Sequence, residues 1–450
     1  MSKSFKPVLV FFVAAFAFEG MPNISHAKSL YISTQDTNES KKQSVTRKVP
    51  GAISLPFHRK LQKIQEKIDI GELDSALEML VALTENSKRH DYELAVLWQM
   101  RAMIAFERDD SHATINAYEK ILSFRESIPQ ALVIQIIYGL AQLEFREENY
   151  AQSLAYARQW EEEAGVTSIG VTQLTFIAQV HYQLADFQGS LTYLERAIQQ
   201  AEQSDTIEAK ENWYQLGVSA HWELGQFDGA RGLLEVLIAR WPKSNYWLQL
   251  AAAHQELGDE ITSHAIMVET YKRGYLQDNP AQIVNVAQIK LARGAPIECA
   301  WVLLRSLRDE LIDDNAYNQR LLGQCYLAAS EIEKALEPLS LAAERDRDPD
   351  LWRTIAQLNI QKANFEEAAY ALSRAQSLAI ADQPKTKSFS LLLMYGQTMT
   401  ELKRFDEALR LFEQAWQLAD TKSNRSKVTN WRKYLASEAH REKILKATFE

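Results

Sequence analysis

A small side chain returns along this chain at a nearly fixed interval, and that interval constrains the fold more than any other feature. Ala76, Ala113, Ser153, Ser190, Ala230, Ser263, Cys299, Ala335, Ala368 and Ala408 follow one another at spacings of 33 to 40 residues, averaging about 37. A period in this window marks stacked helical hairpins. Three positions earlier most copies carry an aromatic or aliphatic residue: Leu73, Tyr150, Phe187, Phe227, Ile332, Phe365 or Phe405. One hairpin cannot bury both of its faces, so each relies on the next. The length of 450 residues then measures repeated units, not independent domains.

The unit is plainest in residues 174–197. Leu174, Ile177, Ala178 and His181 share one face of a first helix, Asp186 and Phe187 mark the turn, and Ser190, Leu194 and Ala197 line a second helix. Residues 352–375 repeat the layout with Ile355, Ala356, Phe365, Ala368 and Leu372, and residues 392–415 with Tyr395, Gly396, Phe405, Ala408 and Phe412. Apolar steps of three and four give each helix one buried stripe. Small residues such as Ala178 and Ser190 let the paired helices approach closely, and the aromatic at the turn fills the wedge between them. Ten such pairs fit between residues 57 and 420. Only 11 prolines and 16 glycines interrupt the chain, as expected for long helices joined by short loops. Residues 424–445 predict a final, more polar helix, with Val428, Trp431, Leu435 and Ala439 on the side that covers the last repeat.

These residues resemble the tetratricopeptide repeat, whose pattern runs Trp, Leu, Gly/Ala, Tyr on helix A, then Tyr/Phe, Ala, Phe, Ala on helix B, often followed by Pro. Trp213, Leu216, Gly217, Phe227, Ala230 and Pro242 follow it, with one extra residue between Gly217 and Gly225. The resemblance covers roughly four-fifths of the chain. It implies an all-α, right-handed α-solenoid of about ten helix pairs with a C-terminal capping helix. About function it says little by itself.

The ends and the charge add to this. Lys3 and Lys6 precede an apolar run at residues 8–18, and Ser25-His26-Ala27 places small residues where a signal peptidase reads them. Residues 1–27 are therefore expected to be an export signal, because the run is shorter than the ~20 residues a spanning helix needs. Residues 28–56 form a polar, basic tether with Lys28, Lys41, Lys42, Arg47 and Lys48 against Asp36 and Glu39. The solenoid is placed at 57–420 and the capping helix with its tail at 421–450. A net charge of −9 argues against nucleic acid as a partner, since phosphate binding needs a basic surface. Cys299 and Cys325 both fall where the repeat wants a small buried residue. Two outcomes stay open for them: free core thiols, or a bridge between neighbouring repeats in an oxidising compartment.

No Ser–His–Asp set, carboxylate pair or phosphate loop stands in a supporting context, so no catalytic residue, cofactor or metal is expected. His181, His221 and His254 take the place of the repeat's tyrosine in three successive units. Equivalent helices lie two packing distances apart, about 8–10 Å for each contact, too far for three imidazoles to share one ion. What the resemblance does offer is an inner groove lined by helix A. The position after its small residue is glutamine in six units: Gln142, Gln179, Gln288, Gln324, Gln357 and Gln397. Each offers a donor and an acceptor, suiting the peptide groups of an extended segment. Tyr138, Phe145, Tyr182, Tyr214 and Trp222 are expected to form an aromatic wall beside them. Chaperone-binding members clamp a carboxylate with groove lysines, whereas the comparable places here hold Thr175, Tyr214, Leu248, Val284, Arg320 and Arg353. That activity is not carried over, although Arg320 and Arg353 suit an acidic partner.

Residues 241–250, 256–260, 271–276 and 291–296 resemble a narrower family: exported tetratricopeptide proteins of Gram-negative bacteria associated with TonB-type energy transduction. That resemblance implies a non-catalytic periplasmic scaffold, an accessory to a proton-driven inner-membrane motor (TonB/ExbB/ExbD-type components) that powers outer-membrane uptake of iron carriers. The alternative is a periplasmic chaperone or envelope-assembly factor that holds extended client segments.

Overall fold

The computed structural model describes residues 53–85, 89–165, 169–378 and 385–449, without the side chains of 385 and 446–449. The export signal and most of the tether lie outside the described residues. Two compact units divide the chain after Trp241. The first holds five hairpins: α1 (Leu55–Asp69) with α2 (Leu73–Thr84), α3 (Asp91–Glu107) with α4 (Ser111–Leu122), α5 (Gln130–Arg146) with α6 (Tyr150–Ala164), α7 (Val171–Gln183) with α8 (Phe187–Glu202), and α9 (Glu211–Glu223) with α10 (Phe227–Arg240). The second holds five more: α11 (Ser244–Glu256) with α12 (Glu260–Lys272), α13 (Pro280–Ala292) with α14 (Pro296–Arg308), α15 (Ala316–Ala328) with α16 (Ile332–Asp346), α17 (Pro349–Gln361) with α18 (Phe365–Leu378), and α19 (Lys385–Glu401) with α20 (Phe405–Leu418). A last helix, α21 (Lys422–Phe449), packs on α20 and α19. Each unit is thus an all-α stack of consecutive hairpins, and no strand occurs among the described residues.

All ten hairpins close on the same turn. One residue per turn adopts a left-handed conformation, with φ between +55° and +81°: Gly71, Asp109, Glu148, Ala185, Gly225, Gly258, Gly294, Ser330, Ala363 and Lys403. The next residue then donates its N–H back across the end of helix A to the carbonyl five residues earlier, as Asp186 does to His181 and Asn364 to Asn359, at 2.9 Å in both. This bond satisfies a carbonyl that the helix end would leave unpaired. Helix B begins one residue further on.

The repeated small residue lies five positions after the left-handed one. Ala76, Ser153, Ser190, Ala230, Cys299, Ala335, Ala368 and Ala408 are all fully enclosed there, and Ser263 nearly so. In the second hairpin the buried residue is Thr114, not Ala113, which is exposed. Asp110 starts that helix by accepting from the Ala113 amide, so the register places Thr114 inward. Close approach explains the size limit. The Ser153 hydroxyl donates to the Ala141 carbonyl at 2.7 Å across the hairpin. On helix A, a Cβ at Gly323 would meet Leu339 at 2.5 Å, and one at Gly396 would meet Phe412 at 2.6 Å.

Between hairpins, apolar burial is continuous. In the first unit one core joins Ile121 and Val133 to Ile137, Leu140, Trp160, Leu174 and Ile177. In the second, one core runs from Met267 through Val286, Cys299 and Leu303 to Leu321, and another joins Phe412 and Ala415 to Val428 and Leu435 of α21. Trp431 stacks on Phe412 at 6.3 Å, so α21 covers the apolar flank of the last repeat. Charge pairs one repeat apart add a thin outer lacing, including Arg146–Asp109 at 3.0 Å, Arg345–Asp314 at 2.7 Å and Arg404–Glu366 at 3.0 Å. Exposed pairs of this kind contribute about 0–1 kcal/mol each, so the apolar contacts carry the stack.

Cys299 of α14 and Cys325 of α15 are joined by a disulfide, with α-carbons 5.9 Å apart. This resolves the two outcomes left open by the sequence in favour of a bridge, which ties one hairpin covalently to the next.

Ala363→Gly relieves a left-handed alanine and is expected to stabilise the protein by about 0.5–1 kcal/mol, offset in part by added freedom of the unfolded chain. Urea unfolding measures it, and a lowered midpoint contradicts the account. Reducing the disulfide is expected to destabilise α14 and α15 by about 3 kcal/mol, the cost of freeing a loop of this size. Amide hydrogen exchange in the full chain, with and without reductant, reads that change.

Candidate functional site

Helix A supplies every residue expected to face a partner, and the structure treats those residues unequally. Among the glutamines, Gln142 is buried, Gln179 and Gln397 are half-buried, and Gln288, Gln324 and Gln357 are exposed. The exposed three stand on α13, α15 and α17 of the second unit. Direct bonds join these helices across the same face. Gln288 Nε2 donates to the Tyr317 hydroxyl at 2.6 Å. Arg320 on α15 donates to Asp348, the capping residue of α17, at 3.1 Å, and Lys387 on α19 donates to Asp350 at 2.6 Å. Tyr317 was not anticipated from sequence, although the residue is 56% exposed beside Gln288 in this strip. Its position four residues ahead of Leu321 on the helix A pattern was the available signal.

The aromatic residues of the first unit are engaged within the fold. Phe145, Tyr182 and Trp222 each meet the first residue of their following helix edge-on: Tyr150 at 5.3 Å, Phe187 at 5.2 Å and Phe227 at 5.2 Å. Such pairs contribute about 0.5–1.5 kcal/mol beyond burial. Tyr138 packs on Trp160 at 5.1 Å and on Phe176 at 5.6 Å, and burial pushes its hydroxyl pKa upward. Tyr214 is buried against Trp241 and accepts from Arg240 at 3.2 Å. These rings fill joints within and between hairpins, with Phe145, Tyr182 and Trp222 leaving only part of their surface outside.

The two groove arginines are held by this chain's own carboxylates. Arg320 pairs with Asp346 at 2.7 Å and Asp348 at 3.1 Å, and Arg353 pairs with Asp350 at 3.3 Å. The Lys387 ammonium and then Arg353 hold the Asp350 carboxyl below its usual range. Nearby, Arg345 grips Asp314 through both guanidinium nitrogens at 2.7 and 2.8 Å, and Gln319 adds a third donor at 2.6 Å. Together they lower the Asp314 carboxyl to about 2.

The histidines serve the turns. His181 Nδ1 lies 2.8 Å from Asp186 Oδ2, while Asp186 Oδ1 accepts from the Gly189 amide and so caps α8. His254 and Asp259 repeat the arrangement at 3.3 Å, and His221 meets Gln226 at 2.9 Å. Each ring is committed to its own hairpin. A Cβ at Gly189 would lie 2.5 Å from the His181 ring, and one at Gly229 would lie 2.5 Å from that of His221. Glycine at these two positions makes room for the imidazole. Among the described residues no cluster of His, Cys, Asp and Glu is placed to hold a metal, and no helix is long and apolar enough to cross a membrane.

Consecutive hairpins of this layout define the fold class of each unit as an all-α helical-repeat stack. No family model and no curated protein matches the chain. Among solved structures, a tetratricopeptide repeat protein from Parabacteroides merdae is similar over 68% of this chain and 100% of its own length, at 14% identity and a TM-score of 0.34. The MamA protein is similar over 42% of this chain and 95% of its own, at 12% identity and 0.34. YrrB, a TPR protein with an unusual peptide-binding site, is similar over 43% of this chain and 91% of its own, at 12% identity and 0.33.

The Asp314–Arg345 pair gives a pH prediction with a definite sign. Because the folded-state pKa of Asp314 is depressed, its contribution is fully present above the ordinary aspartate range near ~4 and is lost as pH falls toward about 2. Arg345→Met is therefore expected to lower the urea midpoint at pH 6, by less near pH 3, and to converge with wild type only as pH falls to about 2. Parallel curves at both pH values contradict the assignment.

Proposed function

We propose that this protein is a non-catalytic interaction scaffold that holds an extended protein segment along the helix A face of its second unit. The observation that supports this reading is the strip of exposed Gln288, Gln324 and Gln357, with Tyr317 beside Gln288, on successive A helices. Neutral amides at one-repeat intervals pair with peptide groups without demanding a charge. The arginines of the face are matched internally, so binding here does not depend on a salt bridge to them.

The finer reading is a periplasmic accessory of a TonB-type uptake system, with inner-membrane motor components as partners. It draws on the sequence resemblance in residues 241–296 and on the export-like N-terminus. A bridged Cys299–Cys325 pair accords with an oxidising compartment. The chaperone alternative uses the same strip on varied clients.

Recovery of tagged protein from detergent-solubilised envelopes separates the two. Stoichiometric motor subunits are expected for the scaffold, and a mixed set of outer-membrane clients favours the chaperone. The double variant Gln324→Ala/Gln357→Ala is expected to cut recovery about threefold or more while leaving helix content unchanged, as loss of two net hydrogen bonds implies. Unchanged recovery removes the strip from consideration.

A further inference from the structure

A cleft opens on this strip, and its chemistry specifies an occupant. An open cleft of about 350 Å³ lies where the first turns of α13 and α15 meet the loop that ends at Asn315. Buried Ile312, half-buried Val284 and exposed Ala281 give it apolar lining, and exposed Tyr317, bonded to Gln288, closes one side. The volume suits one long side chain.

The balance of charge on this face decides which. Arg320, Arg353 and Lys387 are all matched by Asp346, Asp348 and Asp350. Asp314 is matched by Arg345. Asp313, which lines the cleft, is exposed and has no cationic partner among the described residues. The loop that carries it is fixed. Asn318 Nδ2 and the Asn315 amide both donate to the Asp313 carbonyl, at 2.8 and 3.0 Å, while Arg345 holds the adjoining residue. The Cys299–Cys325 bridge further ties α15 to α14. A carboxylate beside an exposed tyrosine ring, over an apolar lining, matches a cation on an aliphatic stem. The partial positive charge at the start of α15 opposes this. The Asn315 side chain already accepts from the Asn318 amide there, leaving the full charge of Asp313 dominant.

We propose that this cleft takes a lysine or arginine side chain of the bound segment, its methylenes on Ala281, Val284 and Ile312 and its cation beside Asp313 and the Tyr317 ring. The proposal rests on the strip reading above and reverses the charge that Arg320 and Arg353 suggest from sequence alone. The partner segment is basic at this point, not acidic.

Fluorescence polarisation with the full chain tests it, using labelled, unstructured Gly/Ser/Gln peptides that differ only in a central Arg, Leu or Glu. An ion pair reinforced by a cation–π contact is expected to make the Arg peptide bind about tenfold tighter than the Leu peptide, and the Glu peptide weakest. Asp313→Asn is expected to bring the Arg and Leu peptides within about threefold of each other, as befits loss of one exposed charge pair. Ala281→Trp, which fills the cleft, is expected to abolish the preference while peptide binding on the glutamines persists. Equal binding of Arg, Leu and Glu peptides, or a preference untouched by both variants, overturns the cleft and leaves the strip standing. Failure of every peptide to bind overturns the strip, and the cleft with it.

Discussion

The left-handed residue at the end of each helix A governs everything built on top of it. It turns the chain so that the following amide reaches back to a carbonyl five residues earlier, and this fixes where helix B starts. From that point the buried small residue and the first aromatic of helix B fall at set distances. Six of the ten turns use a residue other than glycine, so the packing tolerates a local cost of about 1 kcal/mol at each. Hairpin closure therefore outweighs local preference. Without the turn, the small residues have no helix A to approach, and the amides of successive A helices do not come onto one face.

Stability in such a stack comes from neighbours, and it is distributed unevenly. Apolar contact between hairpins is continuous within each unit, while the charge pairs one repeat apart add little individually. The disulfide joins α14 to α15, the helix whose first turn carries Tyr317 of the cleft. Fixing that joint preserves the spacing between Val284 on α13 and Tyr317 on α15, on which a side-chain pocket depends. A preorganised pocket spares the ordering cost that a loose one incurs on binding.

Periodicity made the architecture legible: ten pairs and a covering helix are visible from spacing alone. The register slip at Ala113 shows its limit. Two small residues stand side by side there, and only the Asp110 cap decides that Thr114 faces inward. The site was harder to read for a related reason. Gln142 and Gln357 occupy equivalent places in the pattern, yet one is buried and the other exposed, because burial depends on the bulk of the adjoining hairpins. Tyr138 packs on Trp160 and Phe176, so the joint beside Gln142 is filled, whereas the surroundings of Gln357 leave it open. Arg320 and Arg353 looked available because their partners, Asp346, Asp348 and Asp350, lie outside the repeat pattern. The bridge was undecidable from sequence since two core positions in neighbouring repeats approach only when the hairpins stack at a particular offset.

Internal pairing of the groove charges shapes what the face can recognise. A cation already bound to two carboxylates must break those contacts before it can serve a partner, and little net energy results from the exchange. Such residues set the geometry of the face and the spacing of its helices while contributing little to choice of ligand. On the proposed reading, discrimination passes to groups that no internal salt bridge holds, here the exposed amides and the Asp313 carboxylate. Amides accept many sequences, because every peptide group presents the same donor and acceptor. If the proposed segment binds here, selectivity concentrates where the amide strip gives way to a cleft with one sign of charge, and a single side chain of the partner would decide where along its length the segment is held.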